Sequence, residues 1–363
     1  MRIKHFAIIP PPYGGASVYV KRLNLSLCKY GYESHAFYSD RLEGIPVEFR
    51  KYYHKLPKRC RSILGLLNFP YLYRIFKKYD IIHTHFALCM NLIIWVLHIL
   101  LKKPIVLTLH NQMIEQELSN LNAVDRWVVS HLASDPKVQF TTVNTKGRDK
   151  LQSSGIRFAN PVQAIVPYIL PVKIGNPSDY LSAELVSFLK THENTILFYA
   201  ESFALLENEE IYGIQFMIDS FCQIKKYKPD CSLVFCIANL GNDANKLAAL
   251  KEKIDHTKFS SDVYWQVGAI SEMWPLHEKC AMYARPTCTD GDSVMLREAL
   301  GFGLPVVASD VTKRPIGCTC YQFGNMQDFV DKCIGIISKG RIQPILQEDH
   351  TQEIIDIYKR LIE

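Results

Sequence analysis

Residues 285–310 read RPTCTDGDSVMLREALGFGLPVVASD, and this stretch decides both the fold class and the chemistry of the 363-residue chain. The residues between Asp290 and Ser293 favour a turn followed by a helix N-cap. The apolar spacing after them predicts a helix, and the Val-Val-Ala-Ser run at 306–309 is typical of a buried parallel strand. A helix that begins beside a glycine-containing loop can bind phosphate through its free N–H groups. Asp290 and Glu298 flank that helix start, so one acid would reach each end of a bound ligand.

The rest of the chain repeats the alternation of strand and helix, and its length and 48% hydrophobic content are sufficient for two domains. At the N-terminus, a strand at 2–9, a loop containing Gly14 and Gly15, and a helix at 17–30 form the opening of a Rossmann-like unit. A second series of strands and helices begins at Thr195. We therefore predict an α/β protein with two parallel sheets, one in each half of the chain.

The eleven cysteines favour reduced thiols over a disulfide framework, because the apolar run at the N-terminus is too short for a signal peptide. Cys318 and Cys320 have no second Cys or His pair at zinc spacing, so we interpret them as structural. Together these features predict a cytoplasmic protein.

Charge is unevenly distributed, because residues 1–170 contain 23 Lys and Arg against 10 Asp and Glu, a net +13 in a chain whose net charge is +6. The basic cluster from Arg50 to Arg61, which includes Lys58 and Arg59, precedes an apolar run. It indicates either a face that contacts anionic lipid head groups or a solvated basic loop and helix. The first interpretation would place the protein at the inner face of the cell membrane. Nucleic acid is not an expected partner, because no recognition motif is present.

The spacing in the first stretch resembles the C-terminal signature of the retaining GT-B glycosyltransferases, the group that contains glycogen synthases and bacterial phosphatidylinositol mannosyltransferases. That signature is an acid, seven residues, Glu-Ala, and then Gly-x-Pro-Val-Val-Ala-Ser. Asp290 stands where Glu is more usual, whereas Glu298 and Ala299 fit. The resemblance implies two Rossmann-like domains whose parallel sheets face each other across a cleft, residues 1–171 for the acceptor and 172–346 for the nucleotide sugar. It also implies that a last helix, at 347–363, packs back on the first domain.

In the resembled family the second acid accepts both ribose hydroxyls of the nucleotide sugar, and the first acid lies near the transferred sugar. A carboxylate suits a diol because its two oxygens accept two hydrogen bonds. The resemblance therefore assigns Glu298 to the ribose, and Asp290 and Asp292 to the transferred sugar. The alternative is an ordinary amphipathic helix on which Glu298 is solvated.

The phosphate groups of the donor are expected to meet other residues. By resemblance, Gly14-Gly15 lies against the donor phosphate or the acceptor, and a plain tight turn is the alternative. The Arg and Lys that usually follow the first strand of the second domain are absent, and Tyr212-Gly213 stands where Lys-Gly is usual. The pair Lys313-Arg314, or the helix start at Ser293, could bind the diphosphate instead. The alternative for Lys313-Arg314 is a solvated surface pair.

Three histidines end predicted strands of the first half of the chain. Thr108 and His110 match the family's Thr-x-His, in which the histidine contacts the transferred sugar. His83 and His85 end an earlier strand, and their spacing places them on the same face. They could be a metal pair, but no third ligand is evident in the sequence, so we expect one to line the cleft and the other to be structural.

These observations predict a metal-independent, retaining glycosyltransferase of the hexosyltransferase type that uses no cofactor. His110, Asp290 and Glu298 are the predicted catalytic residues. The expected donor is a UDP- or GDP-linked sugar, the expected acceptor is a saccharide or a lipid-linked saccharide, and the expected role is cell-surface polysaccharide synthesis. Two alternatives stay open, a sugar-nucleotide epimerase of the same fold and a catalytically idle scaffold that binds a partner enzyme.

Overall fold

The computed structural model describes residues 1–10, 15–39, 42, 45, 47–56, 69–85, 87–110, 114–171, 173, 175–290 and 293–363, apart from the side chain of Met90. The chain divides into two compact units. Unit 1 contains Met1–Ile169 and Asp349–Glu363, and unit 2 contains Leu170–Glu348. Each of these boundaries lies two residues from the one that we predicted.

Unit 1 is built on a parallel sheet, which within the described residues has seven strands in the order β3-β2-β1-β4-β5-β6-β7. The strands are β1 (Arg2–Ile8), β2 (Glu33–Tyr38), β3 (Tyr53–Lys55), β4 (Ile81–Thr84), β5 (Ile105–Leu109), β6 (Val138–Thr142) and β7 (Gln163–Ala164). The helices among them are α1 (Gly15–Lys29), α2 (Phe69–Phe76), α3 (Leu92–Leu101), α4 (Ile114–Ser119), α5 (Ala123–Ser134) and α6 (Thr145–Gln152). Residues that follow β1, β4 and β5 therefore leave the same edge of the sheet.

Unit 2 contains a second parallel sheet, with six strands in the described residues in the order β12-β11-β8-β13-β14-β15, and a small antiparallel hairpin of β9 and β10. The strands are β8 (Asn194–Ala200), β9 (Leu205–Leu206), β10 (Glu209–Glu210), β11 (Cys231–Ile237), β12 (Val263–Val267), β13 (Met282–Arg285), β14 (Val306–Ser309) and β15 (Thr319–Tyr321). The helices are α7 (Ala183–Thr191), α8 (Ile214–Tyr227), α9 (Ala244–Asp255), α10 (Trp274–Lys279), α11 (Val294–Gly301) and α12 (Met326–Lys339). The last helix of the chain, α13 (Thr351–Ile362), belongs to unit 1.

Both sheets are buried on both faces, because consecutive apolar residues of a strand point to opposite sides. In unit 1, Ile82 and Leu107 pack with α2, α3 and α5, whereas Ile81 and Val106 pack with α1 and α13. In unit 2, one face packs against α8, α9 and α12, and the other against α7, α10 and α11. Each unit therefore has a core of its own, which holds the strand ends in fixed positions.

Two further expectations concern membrane spans and disulfide bonds. Among the described residues, no helix has both the length and the apolar content that a membrane span requires. The ten cysteines that the structure describes are free thiols, and they include Cys318 and Cys320.

Candidate functional site

The loop after β13 is fixed by an ion-pair cluster around Asp290. Arg285, the last residue of β13, donates from Nε and Nη2 to the two carboxylate oxygens of Asp290, each at 3.0 Å. Arg314 donates from Nη1 to Oδ2 of the same carboxylate at 2.7 Å. The Asp290 side chain is only 9% exposed, and the two guanidinium groups compensate its buried charge.

The remaining contacts of Arg314 connect this loop to the end of β14. Its Nε donates to the backbone oxygen of Ser309 at 2.7 Å, and its Nη2 donates to the hydroxyls of Ser309 and Thr287 at 2.8 and 3.2 Å. The Arg314 side chain is 2% exposed, so the solvated-pair interpretation is wrong for this residue. Lys313 is exposed, as that interpretation expects. Burial opposes ionisation of Asp290, but Arg285 and Arg314 outweigh this effect and hold the pKa of Asp290 below its ordinary value.

The second acid of the motif lies on α11, which follows directly. Ser293 precedes the helix in an extended conformation and is 8% exposed. Glu298 is 2% exposed, so the alternative in which it is solvated is wrong. Asp292 lies outside the described residues. The structure therefore places one acid inside an arginine cluster and the other on the buried side of a helix eight residues later.

The position where the family usually carries Lys-Gly is occupied by an aromatic residue beside the same cluster. The guanidinium carbon of Arg285 lies 5.5 Å from the centre of the Tyr212 ring, within the range of a cation–π contact. Gly213 has φ of +64°, and a Cβ there would lie 2.3 Å from the backbone oxygen of Pro286. Only glycine fits this approach, which brings the start of α8 against the loop that follows Arg285.

The glycine loop of unit 1 is described only in part. Gly14 lies outside the described residues, and Gly15 is the exposed first residue of α1. Among the described residues, a Cβ added to Gly15 would meet no neighbouring atom within 4 Å, so their packing does not require glycine there. The roles assigned to both glycines stay predictions.

Three histidines of unit 1 form a continuous hydrogen-bonded chain, and His83 stacks beside it. His85 Nδ1 lies 3.0 Å from His110 Nε2, and His85 Nε2 lies 3.1 Å from Nδ1 of a fourth histidine, His5. His83 instead contacts the hydroxyls of Tyr358, on α13, and Thr108, at 2.5 and 2.7 Å. His5 was not among the predicted site residues, although a histidine inside a predicted buried strand was a visible anomaly.

All four imidazoles are held in the neutral state by burial. Burial lowers the pKa of His5 to about 3 and the pKa of His110 to about 4, and it lowers the pKa values of His83 and His85 well below the ordinary value. These groups are therefore uncharged at pH 7. They act as hydrogen-bonding groups there and supply no positive charge to a ligand.

The cluster also contains the third imidazole that a metal pair at His83 and His85 would need. Ligand nitrogens of His5, His83 and His85 lie within 4.8 Å of one another. The rings of His83 and His85 are stacked, with centroids 4.0 Å apart and an interplanar angle of 30°, so their in-plane lone pairs run side by side and do not converge. A metal ligand must present its lone pair toward a common centre, so this geometry favours a hydrogen-bond network over metal coordination.

Two family models match the chain along most of its length. Residues 13–160 match the model described as Glycosyltransferase Family 4, and residues 194–339 match the model described as Glycosyl transferases group 1. With both of its halves matched, the chain belongs to the glycosyltransferases. The resemblance seen in the sequence is thus confirmed, and no curated protein sequence matches this glycosyltransferase.

Solved structures show that the glycosyltransferase has the GT-B fold. HepE from Anabaena, in complex with UDP and glucose, is 14% identical, with a TM-score of 0.61 over 100% of this chain and 94% of the other. Sucrose-phosphate synthase from Thermosynechococcus elongatus is 14% identical, with a TM-score of 0.61 over 99% of each chain. A Listeria monocytogenes protein described as a UDP-N-acetylglucosamine 2-epimerase is 12% identical, with a TM-score of 0.62 over 100% of this chain and 96% of the other.

The arginine cluster makes a prediction about stability. Asp290→Asn keeps the shape of the side chain but leaves two buried guanidinium groups without a counter-charge, so the free energy of unfolding at pH 7 should fall by about 3 kcal/mol. Because the folded-state pKa of Asp290 lies below its ordinary value of 3.8, the advantage of the native protein is present above that pH. The advantage should shrink as the pH falls through the folded-state value.

Urea unfolding followed by tryptophan fluorescence at pH 7 and at decreasing pH measures this difference. Asp243→Asn is the control, because it removes a more exposed ion pair with Lys246 in the same unit. The control should change the free energy of unfolding by less than about 1 kcal/mol. Equal stability of Asp290→Asn and the native protein at pH 7 would contradict the interpretation.

Proposed function

We propose that this chain is a retaining glycosyltransferase that moves a sugar from a nucleotide-sugar donor to a hydroxyl of a saccharide or lipid-linked saccharide. The observation that carries the proposal is the burial of Glu298 on α11, at the family spacing from Asp290. Burial of a carboxylate is costly, so an acid on the buried side of a helix indicates a role beyond solubility. Acceptance of hydrogen bonds from both ribose hydroxyls is the role that the family motif implies for it.

The charge of the donor diphosphate would be met near the start of α11. Arg285 and Arg314 share one carboxylate, so the cluster with Asp290 keeps a net charge of +1. The helix start at Ser293 adds the positive end of a helix dipole, and Lys313 adds an exposed ammonium group. Arg314 already donates four hydrogen bonds within unit 2. It would therefore stabilise the diphosphate through its positive charge and through the loop that it holds in place.

Catalysis on this proposal needs no metal ion and no cofactor. The protein would stabilise the departing diphosphate by charge and orient the two substrates. His110, Asp290 and Asp292 would contact the transferred sugar, as the family motif implies, and Asp290 would also hold the loop after β13. A UDP-linked donor is the first choice, because HepE was solved with UDP and with UDP-glucose.

One comparison keeps the epimerase as a second candidate, since the Listeria monocytogenes protein described as an epimerase has the same fold over the whole chain. An epimerase acts on the nucleotide sugar without an acceptor, whereas a transferase requires one. The idle scaffold is the third possibility, because Tyr212 stands where the family's lysine is usual. Nucleotide binding separates the scaffold from both enzymes.

A panel of nucleotide sugars tests the proposal. We expect one UDP- or GDP-linked sugar to raise the melting temperature of the protein, because a ligand that binds only the folded state stabilises it by mass action. Incubation of that sugar with saccharide acceptors should then give a product with the donor's anomeric configuration, detected by NMR. Epimerised donor in the absence of acceptor would support the second candidate, and no stabilisation by any nucleotide or nucleotide sugar would support the scaffold.

The role of Glu298 has its own test. Glu298→Gln keeps the size of the buried side chain but removes the charge that strengthens the hydrogen bonds to ribose. We expect the affinity for the donor nucleotide to fall about 10- to 100-fold, the equivalent of one charged hydrogen bond, when measured by calorimetry. Glu252→Gln, on the exposed face of α9, is the matched control and should bind as the native protein does. Native affinity in Glu298→Gln would remove Glu298 from the donor site.

We also propose that the basic first half brings the enzyme to the cytoplasmic face of a membrane, where lipid-linked acceptors for polysaccharide synthesis would be found. The support is the net charge of +13 over residues 1–170. Lys58, Arg59 and Arg61 lie outside the described residues, so the argument rests on sequence alone. Replacement of these three residues by Gln should reduce co-sedimentation with vesicles containing phosphatidylglycerol. Unchanged co-sedimentation would argue for the solvated interpretation of the cluster.

A further inference from the structure

A chain of buried hydrogen bonds runs from His110 into the interior of unit 1. It passes from His110 to His85 and His5, then from His5 Nε2 to the hydroxyl of Ser34 at 3.1 Å. Ser34 donates in turn to Oδ1 of Asn24 at 2.8 Å. The four groups behind His110 are buried, so water does not compete for these bonds.

The topology of the sheet produces this arrangement. Strands β1, β4 and β5 are neighbours, and His5 is the register partner of His83 on β4. His85 follows β4 and lies on the same face as His83 two residues earlier, and His110 follows β5. Neighbouring parallel strands are about 4.8 Å apart, so imidazoles on or just after adjacent strands can bond to each other directly.

The chain has one direction, because each neutral imidazole has one donor and one acceptor nitrogen. The Ser34 hydroxyl donates its only proton to Asn24 Oδ1, so its oxygen must accept a hydrogen bond from His5 Nε2–H. Nδ1 of His5 is then an acceptor, which requires the proton of His85 to be on Nε2. The acceptor Nδ1 of His85 in turn requires the proton of His110 to be on Nε2.

We propose that His5 and His85 are positioning residues that fix His110 as its Nε2–H tautomer, so that His110 Nδ1 offers a lone pair to a hydroxyl group of the transferred sugar. No residue in the described part of the chain forms a hydrogen bond with His110 Nδ1. The ring is further held by Tyr19, whose ring centre is 5.3 Å away. This role in catalysis rests on the proposed function, whereas the tautomer does not.

His83 lies next to this chain but outside it. Its ring stacks on His85, yet both of its nitrogens contact hydroxyl groups, those of Tyr358 and Thr108. The Thr108 hydroxyl lies 2.6 Å from the Thr141 hydroxyl, so the hydrogen bonds of His83 lead away from His110. His83→Gln is therefore a matched control, since it alters an equally buried imidazole of the same stack.

Nitrogen NMR of the histidine-labelled native protein tests the proposal directly. One-bond N–H couplings should place the protons of His5, His85 and His110 on Nε2, and couplings across the N–H···N bonds should link His110 to His85 and His85 to His5. Protons on Nδ1 of these residues, or the absence of both cross-bond couplings, would overturn the proposal. The native protein alone gives this answer, so it does not depend on whether a variant folds.

Variants test the direction and the role. His85→Leu removes the acceptor for His110 and should leave His110 in both tautomers, whereas His85→Asn offers an amide oxygen near the position of Nδ1 and should keep Nε2–H. His83→Gln should leave the tautomer unchanged. If Leu and Asn at position 85 have the same effect on His110, or if His83→Gln alters the tautomer as His85→Leu does, the positioning role is wrong.

Turnover then separates this inference from the proposed function. With the donor found by the nucleotide-sugar panel, kcat/KM should fall on the order of tenfold in His85→Leu, as for one lost hydrogen bond, and should recover to within about threefold in His85→Asn. Sugar transfer by a native protein whose His110 carries the proton on Nδ1 would overturn the inference and keep the function. The Nε2–H tautomer in a protein that turns over no nucleotide sugar would overturn the function and the catalytic role, and keep the hydrogen-bond chain.

Discussion

A buried carboxylate must be compensated, and the candidate site of unit 2 is organised by the way in which Asp290 meets this requirement. Arg285 comes from the end of β13 and Arg314 from the segment after β14, so one side chain fastens the ends of two neighbouring strands to the loop before α11. The cluster fixes the chain four residues before α11 begins, and Leu296, Ala299 and Leu300 pack the helix itself into the core of unit 2. Two positive groups against one negative group also leave the cluster of Arg285, Arg314 and Asp290 with a net charge of +1.

The departures of this chain from the family pattern are connected through the same cluster. Asp290 replaces the usual Glu, and Tyr212 replaces the usual Lys, yet Tyr212 contacts Arg285 and Arg285 contacts Asp290. Gly213, which follows Tyr212, also lies against the backbone of Pro286, which follows Arg285. The family's lysine is therefore replaced by an aromatic residue that contacts one of the two arginines of the cluster. The absence of the usual lysine at position 212 therefore does not by itself mean that this chain lacks positive charge for a diphosphate.

The sequence predicted the alternation of strands and helices well, because buried parallel strands and amphipathic helices have strong local patterns. The strand β14 has the predicted bounds, 306–309. The short strand β3, the hairpin of β9 and β10, and helices α4 and α5 were not predicted. Two- and three-residue strands are defined by their neighbours, so a local pattern cannot show them. Arg314 shows the same limit, because only tertiary contacts distinguish a buried arginine from a solvated one.

The histidines show where a sequence anomaly carried more information than a motif. His110 was predicted from a three-residue resemblance, whereas the significance of His5 depends on its register with His83 and on its distance of 3.1 Å from His85. A polar residue inside a buried strand must find a partner, and three such residues on adjacent strands can satisfy one another. Two adjacent imidazoles that were both charged could not do so, since two N–H groups would then face each other. Burial keeps the imidazoles neutral, and their mutual bonds compensate the burial, so the position of His110 is set by contacts within unit 1.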